Sequence, residues 1–494
     1  MYWPWLHPFF LLALWSAGVF LHSSPLSAQL SPTELEDISF TDLQTLLGGS
    51  MPTGQGVSAT QIEAPESGSY RPNVADFTGK AFSFPSGGNL SISSHATIVG
   101  QYLYGSSAIS PNVGSSSSNA SIAVYDANNW LGGGFLYGNT PSVLPLVETN
   151  PIQNHSWIGS SGNMTIDTEI LRRFDYMLRR DNVLATVGVN NGSENSLPAL
   201  LAQSHNALAV GLSNGDHSSG VTSLDGGGRT KPDIVVPVSA TSWATPTVAA
   251  AGALLLQSAR ASSTLVHASK SEVLRSILLA GASKEESEFS TAWTNSESSP
   301  LDGRYGAGEL DVETSYGILN GGEFNSSNAS VTADRGWDFG TSSIGSPQYY
   351  FIDLPAGTTA FSFTASLVWN SIVEATDTNP SPFATSYSFS TIVPNLDLRL
   401  YSATGFVVEG QIAASLSPSD NLELIYAKAL APGRYALSVT SDTAAMDYGL
   451  AWTASVPEPA SVFLLLAATV FCGSLGLHGS AFNLRPRRSR LFCR

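Results

Sequence analysis

The chain has 494 residues, enough for two or three domains of roughly 100–200 residues each, and its 45 glycines, 27 prolines and 12% charged residues favour strands and loops over a helical body. Its formal charge is −17; five arginines crowd the last ten residues, so the rest stands at −22, a body that repels nucleic acid and anionic lipid. The only two cysteines, Cys472 and Cys493, lie near the C-terminus, which excludes disulfides and cysteine metal sites from the body.

In chain order, an apolar run at 9–20 followed by small and polar residues reads as a secretory signal peptide over 1–28, cut near Ala28, although its start carries no Lys or Arg. Residues 29–49 read as a short polar connector. From 50 to 325, apolar runs at 121–125, 183–189, 208–212 and 234–236 alternate with helical stretches at 165–178, 246–259 and 270–282. That alternation predicts an α/β unit, a parallel sheet flanked by helices. From 332 to 455 the helical period disappears. Runs at 349–354, 359–369, 396–401, 422–430 and 435–439, separated by Pro-Gly, Asn and Ser-Asp turns, predict an all-β sandwich that supplies no catalytic groups. In the tail, 456–494, Val456-Pro457-Glu458-Pro459 precedes an apolar run at 462–482 and then the arginines. The run is long enough for a transmembrane helix, with the basic end cytoplasmic.

The densest chemical signal is Thr241-Ser242-Trp243-Ala244-Thr245-Pro246, which opens a helix of small apolar residues with a proline in its first turn. A hydroxyl at a helix N-terminus lies beside free backbone N–H groups that can hold a developing oxyanion. The same pattern also describes a capped core helix. Three further segments stand upstream: Gly54-Gln55-Gly56-Val57-Ser58-Ala59-Thr60-Gln61-Ile62-Glu63, Ser94-His95-Ala96-Thr97-Ile98-Val99-Gly100, and Val187-Gly188-Val189-Asn190-Asn191-Gly192.

Together these four segments resemble, in order and approximate spacing, the motifs of the subtilases, the subtilisin-like serine peptidases. His95 lies 32 residues after Glu63, with Asn190 and Ser242 95 and 147 residues beyond His95. The resemblance implies a secreted or envelope-associated serine endopeptidase acting on polypeptide, with Ser242 as nucleophile and His95 as its base. It casts Glu63 as the acid that orients His95, where the family carries Asp, and Asp76 is the alternative acid. It casts Asn190 as oxyanion donor alongside the Ser242 backbone N–H, with Asn191 as a one-residue alternative. Asn154-His155-Ser156-Trp157-Ile158-Gly159 resembles the substrate-pairing segment, which implies substrate contacts at Ser156, Trp157 and Gly159, unless Trp157 is core. No cofactor is implied; calcium binds many members of that family, and no ligands for it can be assigned here. The 29–49 connector is shorter than the family's usual propeptide.

The surroundings depart from the family. Ala96 and Ala240 stand where it has glycine, as does Val189; Ile98 replaces a second histidine and Trp243 a methionine. A catalytically silent relative that binds peptides or matrix is therefore the alternative. An esterase of the α/β-hydrolase kind would need the order Ser, acid, His and a G-x-S-x-G elbow, and the chain has neither. Asp397-Leu398-Arg399-Leu400-Tyr401 and Ala431-Pro432-Gly433-Arg434-Tyr435 resemble the small pre-peptidase C-terminal sandwich appended to secreted bacterial peptidases. The tail resembles the PEP-CTERM sorting signal, which implies processing by an exosortase-type enzyme.

Overall fold

The computed structural model describes residues 29–88, 91–285, 288–356, 361–379 and 385–455. The signal peptide expected over 1–28 and the sorting tail with its span at 462–482 lie outside the described residues. Among the described residues no helix is long and apolar enough to cross a membrane.

Seven strands form one sheet: β1 (Ala59–Glu63), β2 (Phe82–Ser83), β3 (Ile122–Asp126), β4 (Ile152–His155), β5 (Leu184–Gly188), β6 (Leu208–Leu212) and β9 (Ile234–Val236), in the order β2-β3-β1-β4-β5-β6-β9. Every pairing is parallel. β1, β4, β5, β6 and β9 are buried along their whole length, as strands covered on both faces must be. A two-stranded ribbon, β7 (Gly220–Val221) with β8 (Thr230–Lys231), precedes β9.

The expected connector at 29–49 is instead two short helices, α1 (Pro32–Asp37) and α2 (Phe40–Leu47). Ser31 and Glu34 close a capping box on α1, and Ile38, Phe40 and Leu43 are buried in the main core. The apolar residues there recur at helical spacing, a pattern too short to stand out among polar neighbours. Along the sheet run α3 (Ser94–Leu103), the three-residue α4 (Ala127–Asn129), α5 (Met164–Asp181) and α6 (Thr241–Ala261). α5 is amphipathic; Asn163 caps its start and a left-handed Asn182 ends it. α6 is buried almost throughout and packs on β4, β5 and β6. Its Gly252 permits that approach, because a Cβ there would run into the Leu184 side chain.

α7 (Ser271–Gly281) and α8 (Val312–Gly321) complete this unit, and α7 is buried along its whole length because the second unit covers it. That unit is a sandwich. One sheet has the order β10 (Val331–Thr332), β12 (Gln348–Leu354), β19 (Gly433–Ser441), β16 (Leu396–Thr404), β17 (Val407–Ser415). The other has β11 (Arg335–Thr341), β20 (Asp447–Ser455), β13 (Phe361–Trp369), β18 (Leu422–Leu430). Trp369, Trp452, Tyr350, Leu398 and Leu437 lie in the core between them.

The outer face of the four-stranded sheet carries Val368, Leu422, Leu424 and Ala451 into the same core as α7. Buried polar bonds stitch the units as well. Ser371 N–H donates to Asn206 Oδ1 (2.8 Å), and Asn421 Nδ2 donates to the His205 carbonyl (2.8 Å). A hairpin of β14 (Ile372–Asp377) and β15 (Tyr387–Ile392) reaches back onto α5.

Candidate active site

In a parallel sheet, ligands meet the carboxyl ends of the strands. Here β1 ends at Glu63, β4 runs into Ser156, and β5 runs into Asn190 and Asn191. His95 stands in the first turn of α3 and Ser242 in the first turn of α6, two helices in contact, and the His95 ring lies 5.4 Å from that of Trp243.

His95 is the second residue of α3, whose start Ser93 caps by accepting the Ala96 N–H. Its Nδ1 lies 2.8 Å from Glu63 Oε2. A carboxylate only accepts, so Nδ1 carries the proton and Nε2 keeps its lone pair. Glu63 is fully buried, while the His95 side chain is 32% exposed. Glu63, a longer acid than the Asp of the motif its segment resembles, reaches the ring. Asp76, the alternative acid, is exposed and accepts instead from Asn73 Nδ2 (2.9 Å).

A second carboxylate stands at the same helix start. Glu66 Oε2 accepts the His95 backbone N–H (3.2 Å) and the Ser93 hydroxyl (3.0 Å). Burial alone lowers the His95 pKa. The charge and hydrogen bond of Glu63, with the charge of Glu66, outweigh it, and the imidazole is raised above its ordinary value.

Ser242 is the second residue of α6. It adjoins Trp243, whose indole lies 5.4 Å from the His95 ring and stacks at 8° on Tyr102. The helix's proline is its sixth residue, one turn later than the sequence suggested, and it has a local consequence. Pro246 has no N–H, so the Ser242 carbonyl four residues earlier lacks its helical donor. The Ser156 hydroxyl supplies one at 3.1 Å, and itself accepts from Asn154 Nδ2 at 3.0 Å.

The two asparagines after β5 differ. The Asn190 backbone pairs both ways with Ser218: its N–H donates to Ser218 Oγ (2.9 Å) and its carbonyl accepts the Ser218 N–H (2.8 Å). The Asn191 side chain is the one that reaches α6. Its Oδ1 accepts the Thr241 N–H (2.9 Å) and the Thr241 hydroxyl (3.2 Å), which turns Nδ2 away from Thr241.

Of the residues expected to bind substrate, Ser156 is buried and turned to the Ser242 carbonyl. Trp157 is also buried, in a cluster with Trp130, Phe174 and Leu200. Gly159 is half-buried, and its carbonyl accepts the Leu200 N–H (3.0 Å).

Neither Ala240 nor Ala96 strains the backbone. Ala240 caps α6 at φ −153° and ψ 148°, an extended conformation open to any residue. Ala96 lies within α3, and Ile98 packs against the main core.

Among the described residues one group has the spacing of metal ligands. Asp175, His205 and Asp225 are buried, with ligand atoms within 4.8 Å of one another. Its carboxylates already have donors. Asp175 accepts from Ser204 Oγ, His205 N and Asn206 N, and Asp225 accepts from Arg172 Nε (2.6 Å) and Thr391 Oγ1 (2.7 Å). Burial and the nearby Arg229 push His205 well below the ordinary histidine value. The group joins α5 through Asp175, the segment before β6 through His205 and the β7–β8 turn through Asp225, which also bonds Thr391 of β15.

No protein-family profile matches the chain, and no curated protein does either. Among solved structures, 162 chains match. A serine protease of Aeromonas sobria is similar over 81% of this chain and 89% of its own, at 13% identity and a TM-score of 0.37. The prenylagaramide maturation protease PagA is similar over 56% of this chain and 98% of its own, at 16% identity and 0.36. The epidermin leader peptide processing serine protease EpiP of Staphylococcus aureus is similar over 60% and 83%, at 12% identity and 0.38. At these identities and scores the chemistry rests on this chain's own residues.

Proposed function

We propose that this chain is a serine endopeptidase of the subtilisin-like kind, in which Ser242, His95 and Glu63 form the catalytic set and Asn191, rather than Asn190, serves the oxyanion. The observation that carries this is the Glu63–His95 contact of 2.8 Å, with the His95 ring 5.4 Å from the indole of Trp243, the residue after Ser242 in the first turn of α6. An imidazole held by a buried carboxylate through Nδ1, next to a serine at a helix N-terminus, is an activated-hydroxyl arrangement.

In the reaction, His95 Nε2 takes the Ser242 proton as Oγ attacks the scissile carbonyl carbon. Glu63 stabilises the imidazolium. The oxyanion lies against the Ser242 backbone N–H, free in the first helical turn, and Asn191 Nδ2. Collapse of the tetrahedral species breaks the C–N bond. His95 returns its proton to the leaving amine, and water then repeats the sequence on the acyl-serine. Ser156 is better suited to holding the Ser242 backbone than to pairing with substrate, and Trp157 to core packing.

Export through the segment 1–28, and envelope sorting through 456–494 with processing by an exosortase-type enzyme, remain part of this proposal on the sequence alone. The sandwich at 332–455 contributes stability by covering α7 and no reacting group.

The test is hydrolysis of an unfolded polypeptide such as reduced casein by purified protein. Wild type should generate new N-termini and Ser242→Ala should not. Equal cleavage by both, or none by either, rejects the proposal.

A further inference from the structure

Alternate side chains of a strand point to the same face, so Gln61 and Glu63 stand side by side on β1. Both are fully buried. Gln61 Nε2 donates one hydrogen to Glu63 Oε1 (2.8 Å) and the other to the Ala96 carbonyl (2.9 Å). Its Oε1 accepts from the Tyr104 hydroxyl (2.5 Å). Tyr104 is fully buried where α3 ends, and Gly100 makes room for it, since a Cβ there would come within 2.6 Å of the phenol oxygen. The amide can be oriented only one way. Reversed, its carbonyl oxygen would face a carboxylate and a backbone carbonyl.

This arrangement answers a difficulty raised by the acid itself. Glu has one more rotatable bond than Asp, and at a strand end that freedom would let the carboxylate swing off the imidazole. Glu63 uses its two oxygens for two different partners: Oε2 for His95 and Oε1 for Gln61. We propose that Gln61, oriented by Tyr104, is the positioning residue of this site: it anchors the Glu63 carboxylate on β1 and ties it to the helix that carries His95. The proposal rests on the serine-peptidase reading above, and it makes Gln61-x-Glu63 on β1 a unit in place of a shorter acid.

Gln61→Met keeps the length of the side chain and removes both donors. Tyr104→Phe removes only the hydroxyl that orients the amide, and serves if Gln61→Met does not fold. Two readouts on the full-length protein decide the matter. One is the rate of inactivation by a fluorophosphonate. The other is the pH dependence of His95 modification by diethyl pyrocarbonate, mapped by peptide mass in a Ser242→Ala background.

Positioning predicts a fluorophosphonate rate lower by about tenfold to a hundredfold in Gln61→Met. It also predicts a His95 titration displaced downward, because the carboxylate no longer stays on Nδ1 while Glu66 remains in place. Tyr104→Phe should move both in the same direction by less. An unchanged rate with an unchanged His95 titration overturns the proposal. An upward displacement overturns it too, since Gln61 would then only weaken the Glu63 charge. If wild type takes no label at all, the peptidase reading fails, and the His95 titration still decides the role of Gln61.

Discussion

Asn191→Asp should abolish turnover while leaving the fold intact. In the proposed reaction the Asn191 side chain does two things at the start of α6: Oδ1 accepts the Thr241 N–H at 2.9 Å, and Nδ2 serves the oxyanion. Asp keeps the first and removes the second. Loss of one oxyanion donor costs about 10²–10³ in kcat, or about 2.7–4 kcal/mol of barrier. A carboxylate beside a developing negative charge adds repulsion, so that range is a floor. At a helix N-terminus the same charge is stabilising by about 0.3–1 kcal/mol, so Tm should hold or rise.

Asn191→Ala separates the two roles. It should lose the same catalytic factor and also about 0.5–2 kcal/mol of stability, because the Thr241 N–H loses its acceptor. Asn190→Ala should change kcat by no more than a few-fold, since it is the Asn190 backbone that bonds, to Ser218. The assay is kcat and KM on a chromogenic peptide, with Tm by calorimetry. If Asn190→Ala loses the large factor and Asn191→Asp does not, Asn190 is the donor and the oxyanion assignment is wrong.

Glu63→Gln removes the charge that raises His95, so it should lower kcat by up to about 10⁴ and move the acid limb of kcat/KM to lower pH, as read in a pH–rate profile. In wild type that limb should lie above the ordinary imidazole value of about 6.5, because His95 must be neutral to act as base and its pKa is raised. Activity is then present above the raised pKa and lost as pH falls through it; a limb at or below the ordinary value would show that Glu63 does not govern His95. Ser156→Ala leaves the Ser242 carbonyl without its donor and should lower stability by about 1–3 kcal/mol in denaturant melts, with kcat falling more than KM changes.

Much of the fold was legible because buried parallel strands and long amphipathic helices carry their periods openly. The runs at 208–212 and 234–236 are the strands β6 and β9 residue for residue. The edge strand β17 was missed, and its sequence Val407–Ser415 explains why. It is mostly exposed, with Glu409, Gly410 and Gln411 breaking any alternation. The hairpin β14–β15 hides for a similar reason, since each of its strands buries a single residue, Val373 and Phe389, and its partner is α5 rather than a sheet.

At the candidate site, chain order pointed to Glu63, His95 and Ser242, because such motifs are contiguous. What it could not give was the side on which each neighbour stands. Asn190 and Asn191 are equivalent on paper, and only the turn after β5 decides which amide meets Thr241. Ser156 reads as a substrate contact in the sequence; in the structure its hydroxyl donates to the Ser242 carbonyl, which Pro246 leaves without a helical donor. Gln61 carries a signal of its own: a large polar residue two positions before the acid, on the same face of a strand otherwise destined for the core.

The central claim is that Ser242 is a nucleophile activated by His95. The direct measurement is labelling of the purified protein with a fluorophosphonate across pH, with the adduct located by peptide mass. The account predicts one adduct, on Ser242, formed with an acid limb set by His95 and lost in His95→Ala. An adduct on another residue, or undiminished labelling of Ser242 in His95→Ala, would contradict it.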